Sequence, residues 1–183
     1  MNIFYLDHDP QRCAEYHVDK HVVKMILEYA QLLSTAHRVL DGNESIVKRN
    51  NRKQRIWQLD DGREGRLYKA THINHSSAVW VRLSKNNYIW LANMLNSLCK
   101  EYTYRYDKIH KVEQIGLSKM LVREIPQNIM IDKFTEPTTA MPEHCKIVNN
   151  SIASYRNYYK TEKKHIWNWK KREIPYWIKE NIL

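Results

Sequence analysis

Between Tyr88 and Tyr106 the apolar residues Tyr88, Leu91, Ala92, Leu95, Leu98, Cys99, Tyr102 and Tyr106 recur every third or fourth position. That spacing belongs to one buried helical face, and Ser84 stands where such a helix needs its N-cap. A second periodic run begins after Asp9-Pro10, a cap and first-turn pair, and continues to about Leu40, where Asp41-Gly42 supplies a stop. One straight helix of that length would reach roughly 45 Å, so a break is expected near Asp19, which can cap the second piece. Ahead of it, Asn2-Ile3-Phe4-Tyr5-Leu6 is apolar but too short for its period to separate a buried strand from an anchored arm. Further along, Ser76 and Ser77 can cap a turn through Trp80. Val112 to Glu124 reads as a weaker helix stopped by Pro126, and Asn149 to about Lys160 as a helix capped by Ser151. A short helix or turn around Trp177 follows Pro175. The segment 43–70 is poor in aliphatics and carries Lys48, Arg49, Arg52, Lys53, Arg55, Arg63 and Arg66, the pattern of a basic surface excursion. With Pro137, Pro142 and several threonines, 127–147 reads as a long loop over the core. The expected class is mostly α: a single compact multi-helix domain over 1–183, with the excursion at 43–70, the Pro/Thr loop at 127–147 and an aromatic, basic segment at 149–183.

Composition narrows the functions open to such a domain. The chain has 183 residues, 43% hydrophobic and 27% charged, enough for one buried core. Its 4 glycines and 5 prolines are too few for the turns of a sandwich or for a glycine-rich phosphate loop, which excludes Rossmann and Walker-type nucleotide enzymes. Lys and Arg number 30 against 20 acidic residues, a formal charge of +10, and this points to a polyanionic partner. Cys13, Cys99 and Cys145 form no CxxC pair, so a reduced cytoplasmic protein without a thiolate zinc site, and without any cofactor, is expected. The longest uncharged stretch, Asn86 to Cys99, is too short to span a membrane, and Met1 to Leu6 is too short for a signal peptide.

At 100° per residue, His17, Lys20, His21, Lys24, Glu28, Gln31, Thr35 and Arg38 fall along one edge of the second helix, flanked by apolar residues. Such an edge lines a cleft, where a partly desolvated carboxylate can serve as acid or base; the plainer reading is a solvated stripe on a core helix. His17 and His21 stand at i and i+4, a spacing that also suits a metal, with Glu28, His72 or His75 as a third ligand, although no zinc motif surrounds them. In the C-terminal segment, Tyr155, Arg156, Tyr158, Tyr159, Lys160, Trp167 and Trp169 alternate cations with flat rings. Phosphates bind the first and unstacked bases the second. Core anchoring of the rings is the plainer alternative, but the basic excursion supplies a second positive wall and favours nucleic acid, DNA first.

Asp19-Lys20-His21 followed seven residues later by Glu28 resembles the Asp-x-His and catalytic glutamate of the pyrimidine-dimer DNA glycosylases of the phage endonuclease V type. Tyr155-Arg156-Asn157-Tyr158-Tyr159-Lys160 is similar to that family's aromatic, basic C-terminal segment, and His75 with Trp80 is a looser third likeness. The resemblance covers the first forty residues, the middle helix and the tail; 43–70 and 107–147 have no counterpart in it. It implies a compact, mostly helical enzyme that cleaves an N-glycosidic bond in kinked DNA with a nucleotide flipped out. By position Glu28 takes the glutamate's role, His21 and Lys24 shape the pocket, and the N-terminal amine, which the bulky Asn2 would leave on Met1, is the nucleophile. Lys20 or Lys24 could supply the amine instead, or Glu28 could activate water with no lyase step. The arginines that the family carries beside and three residues after its glutamate are Leu27 and Gln31 here, a departure that leaves the target open between a pyrimidine dimer and another damaged or modified base. Two other classes fit the same residues: a non-catalytic nucleic-acid-binding accessory protein, and a metal-dependent hydrolase of a nucleotide-like substrate built on His17 and His21.

Overall fold

Helix follows helix along most of the chain, and the polar edge that carries Glu28 lies on the longest of them. The computed structural model describes residues 1–49 and 51–179, so Asn50 of the excursion and 180–183 of the C-terminal segment lie outside the described residues. The helices are α1 (Pro10–Tyr16), α2 (Asp19–Asp41), α3 (Ser76–Leu83), α4 (Lys85–Tyr106), α5 (Lys111–Gln114), α6 (Leu117–Arg123), α7 (Ser151–Glu162) and α8 (Tyr176–Lys179). One antiparallel pair, β1 (Asn43–Arg49) and β2 (Arg52–Gln58), is the sheet among the described residues. The fold is mostly α, and none of these helices is long and apolar enough to cross a membrane.

α2 and α4 pack along each other at the centre, with α1 laid on α4 and α3 on both. α1 starts as its sequence requires: the Asp9 carboxylate accepts from Gln11 N at 3.1 Å and Pro10 opens the first turn. The break falls at His17 and Val18, and α2 ends on Gly42, whose N–H donates to Arg38 O at 2.9 Å. A Cβ on Gly42 would lie 2.5 Å from that same carbonyl, so the chain leaves the helix where only glycine fits.

Several local expectations are corrected. Asp19 is not the cap of α2: Val18 holds that position, and the Asp19 carboxylate turns sideways to Arg105, Asn168 and Lys170 N. α3 is capped by His75, not by Ser76 or Ser77, and α7 by Asn150 rather than Ser151. The weak helix over 112–124 is two pieces, because Gly116 takes the left-handed conformation (φ 75°) between them. The excursion contains a β-hairpin. Its strands carry apolar residues only as the adjacent pairs Ile46-Val47 and Ile56-Trp57, so no alternating apolar period marked them, and Trp57 alone of β2 is buried.

The opening run is an anchored arm, not a strand. Ile3, Phe4, Tyr5 and Leu6 are at most 5% exposed, each contributing roughly 1.5–3 kcal/mol of burial as an upper estimate. Its backbone is tied by Phe4 N donating to the Tyr29 hydroxyl (3.2 Å), Leu6 N to Cys13 Sγ (3.3 Å) and the Cys13 thiol to Phe4 O (3.2 Å). Burial pushes the Cys13 thiol up to about 12, so it serves here as a small core residue.

Candidate active site

Elements distant in sequence cover both ends of the α2 polar edge and leave its middle open. At the N-terminal end His17 is fully buried, and its Nδ1 lies 2.7 Å from Cys13 O. His21 stacks on Phe4 (ring centroids 4.1 Å apart, 17° between planes), with its Nδ1 2.7 Å from the Tyr159 hydroxyl. At the C-terminal end the Thr35 hydroxyl pairs with the backbone of Thr71. Arg38 directs its guanidinium to Tyr68 O, Trp57 O, Leu67 O and Glu64. Lys24, Glu28 and Gln31 remain accessible between these covers.

Two amines reach Glu28 in that window. Its Oε1 lies 3.3 Å from Lys24 Nζ and its Oε2 4.0 Å from the Met1 amine. The exposures differ in a useful way: Glu28 keeps 17% of its side-chain surface and Met1 5%, while Lys24 stands 71% in solvent. The arm delivers the amine because its first residues are clamped from two sides. The Tyr155 hydroxyl donates to Asn2 Oδ1 at 2.6 Å, and Asn2 Nδ2 donates to Ala140 O at 2.8 Å. The Pro/Thr loop thus closes onto the arm, held in turn by Ala140 N donating to the Tyr155 hydroxyl at 3.4 Å and by Ser151 on Pro137 O.

His75 completes the group. Its Nδ1 accepts from Ser77 N at 3.2 Å, which assigns the ring proton of the neutral form to Nε2 and leaves that atom as a donor. Burial lowers its pKa first, and the Met1 ammonium and His72 lower it further, while Glu28 opposes them. His72, three residues earlier, sits in the left-handed region (φ 49°), a conformation uncommon for a non-glycine residue, on the loop that brings His75 in.

The metal reading of His17 and His21 gains no third ligand, since among the described residues neither belongs to a cluster of three ligand side chains. His17 Nε2 is buried without a hydrogen-bond partner. Burial lowers the His17 pKa to about 4 and the His21 pKa to about 2, so both are neutral core histidines. Among the described residues a different set, His144, Cys145 and Glu162, brings ligand atoms within 4.8 Å of one another, with His144 Nε2 and Glu162 Oε1 2.9 Å apart.

The C-terminal aromatic segment divides as well. Tyr155 and Tyr159 are fully buried, Trp169 is buried and donates to Tyr16 O, and Trp80 is buried and donates to Thr135 O; none of these rings can stack on a base. Half-buried Trp167 donates to Tyr159 O, and Arg156 pins the arm through Leu6 O and Asp7. Lys160 lines a separate surface recess with Arg156, Tyr176 and Trp177. Tyr158 is the partly open ring: it lies parallel to Phe4 (6.3 Å, 14°) with Lys163 Nζ 4.5 Å over its face. Phe4, against which Tyr158 lies, stacks in turn on His21, three residues before Lys24 on α2.

The chain matches no family model, no curated protein and no solved structure. What the site can do is thus argued from its chemistry. A half-shielded carboxylate between two amines, beside a neutral imidazole that can donate, can hold a developing positive charge and accept a proton from an attacking amine. Of the residues the sequence singled out, the structure brings Lys24 and Met1 to Glu28, and the His75 ring feels the charges of Met1 and Glu28. The sequence had no signal for Asn2 or Ala140, whose bond depends on a contact 138 residues apart.

Proposed function

We propose that this chain is a DNA N-glycosylase that removes a damaged or modified base, with an abasic-site lyase step when the Met1 amine is the nucleophile. The observation that carries the reading is the Glu28 carboxylate held between the Met1 and Lys24 amines, 4.0 and 3.3 Å away. In its neutral form the Met1 amine attacks the sugar C1′. The C–N bond to the base breaks, and its electron pair leaves with the base, which takes up a proton. Glu28 faces the positive charge that builds on the sugar, and a negative group fixed there lowers the barrier more than one that must reorganise. The proton released by the attacking nitrogen has an acceptor in Glu28. The nitrogen lone pair then forms a C=N bond as the C1′–O4′ bond breaks, the ring oxygen taking up the proton that Glu28 received; the resulting imine permits strand cleavage and is reduced by borohydride to a stable amine link.

The surroundings suit a polyanion. Lys24 stands exposed on the α2 edge, Lys163 lies over the Tyr158 ring, and the hairpin that follows α2 carries exposed Lys48, Arg52 and Lys53. The test is incubation with duplexes carrying a panel of base lesions or an abasic site, with and without borohydride. The reading expects base release, a trapped covalent species, and loss of both in Glu28→Gln at unchanged DNA affinity. Base release without trapping would assign Glu28 to water activation. No release and no trapping on any substrate would overturn the enzymatic reading and leave a protein that holds DNA.

A further inference from the structure

We propose that the β1–β2 hairpin is a clamp for duplex DNA, gripping the phosphate backbone beside the Glu28 window; the inference rests on the DNA reading above and extends it to the surface that holds the duplex. The register sets Lys48 opposite Lys53 and Arg49 opposite Arg52 at the distal end of the ribbon. Like charges directly opposite in an antiparallel pair repel. Among the described residues no acidic side chain pairs with Lys48, Arg52 or Lys53, whereas Arg55, nearer the root, is bound to Glu44. The distal end also has no core beneath it. Lys48, Arg52 and Lys53 are exposed, and Ile46 is 65% exposed. A two-stranded ribbon with neither a packed face nor charge balance is a poor structural element on its own. A row of phosphates supplies the missing counter-charge.

The anchoring of the ribbon favours DNA on this track. Its root is fixed to the end of α2, by Arg38 Nη1 donating to Trp57 O at 3.0 Å and by the close approach at Gly42. Arg38 lies on the same helix edge as Glu28 and ten residues further on, a rise of about 15 Å. At ~3.4 Å per base pair that is about 4 to 5 base pairs. The hairpin strands, at ~3.3 Å per residue, extend up to roughly 20 Å beyond the root. A duplex with its target nucleotide at Glu28 therefore carries phosphates past the hairpin within about one helical turn. The paired strands are narrow enough to lie against the backbone or enter the major groove, ~12 Å wide.

The test uses the full chain and its Lys48→Gln/Arg52→Gln/Lys53→Gln variant, with far-ultraviolet circular dichroism confirming that both are folded. Affinity for a 30-base-pair duplex with a central abasic site is measured against salt concentration. The proposal expects the logarithmic salt slope to fall by about 2 to 3 and affinity near 0.15 M salt to drop tenfold to a hundredfold. Single-turnover base release from a lesion duplex of the panel that the parent processes, at saturating DNA, stays unchanged. Trimming the duplex to about 4 base pairs on one side of the target should weaken the parent chain to the variant's level and leave the variant unaffected. A variant with the parent's slope, while the parent binds and releases base, overturns the clamp alone. Trimming effects that simply add to those of the substitutions overturn it too. A parent chain that does not bind the duplex overturns both the clamp and the function on which it rests.

Discussion

Replacing Arg105 by methionine should cost this fold about 3 kcal/mol. The guanidinium is fully buried and joins three stretches of chain: it meets Glu101 Oε1 at 2.6 Å, Asp19 Oδ1 at 2.8 Å, His17 O at 2.9 Å and Glu15 O at 2.9 Å. Removing one partner of a buried ion pair costs about 3–5 kcal/mol, chiefly because the other charge is left desolvated. Here part of that penalty is offset. Glu101 keeps Arg172, at 2.9 and 3.0 Å, and Asp19 keeps Asn168 Nδ2 at 2.6 Å and Lys170 N at 3.0 Å. The two orphaned carbonyls bring the estimate back to the lower end of the range. In urea, with a slope of about 2–3 kcal/mol/M for a chain of this size, the midpoint should fall by about 1 to 1.5 M. Asp19→Asn should be less costly, and the double variant should show a coupling of at least about 1 kcal/mol, since both remove the same bond. A loss below about 1 kcal/mol for Arg105→Met, or two losses that simply add, would refute the view of this network as the staple between α2, α4 and the tail. Base release by folded Asp19→Asn should survive, because that carboxylate faces Arg105 and not the Glu28 window.

Two further outcomes follow from buried groups and close backbone contacts. Burial lowers the pKa of His17, His21 and His37 from the ordinary 6.5 to about 4, 2 and 4, so the unfolded chain binds more protons than the folded one below pH 6.5. Their contribution is complete above that pH and is lost as pH falls. At pH 5 the loss is about 2 kcal/mol per histidine, readable as a melting temperature well below that at pH 7.5; an unchanged value would contradict the burial of these rings. Gly42→Ala should destabilise by more than the few tenths of a kcal/mol typical of a surface change, because its Cβ would sit 2.5 Å from Arg38 O, and thermal melts would show the opposite sign if the turn relaxes freely.

The window was legible because a helix edge is a local property: 100° arithmetic places Lys24, Glu28 and Gln31 together whatever packs around them. What covers the ends of that edge is not local. His17 and His21 read as accessible from α2 alone and became core residues once Phe4 and Tyr159 closed over them, the latter 138 positions away. The same holds for the tail, where Tyr155 and Tyr159 share a buried face at i and i+4 while Tyr158 turns outward, a split that helical spacing contains but that a count of aromatic and basic residues hides. Asp19 and His21, half of the Asp-x-His pattern that suggested a glycosylase, serve the fold, and Glu28 is the part of that pattern left facing solvent and two amines. The hairpin escaped notice for a different reason: strands are recognised by apolar alternation, and its distal half has no apolar face to alternate.

The most direct measurement is to map the residue that carries the sugar after borohydride reduction on abasic duplex, by mass spectrometry of the proteolysed adduct. The account predicts the link on the Met1 α-amine, formed by the parent chain and lost in Glu28→Gln. A link on lysines outside the window, such as Lys163, or one formed equally well without the Glu28 carboxylate, would contradict it.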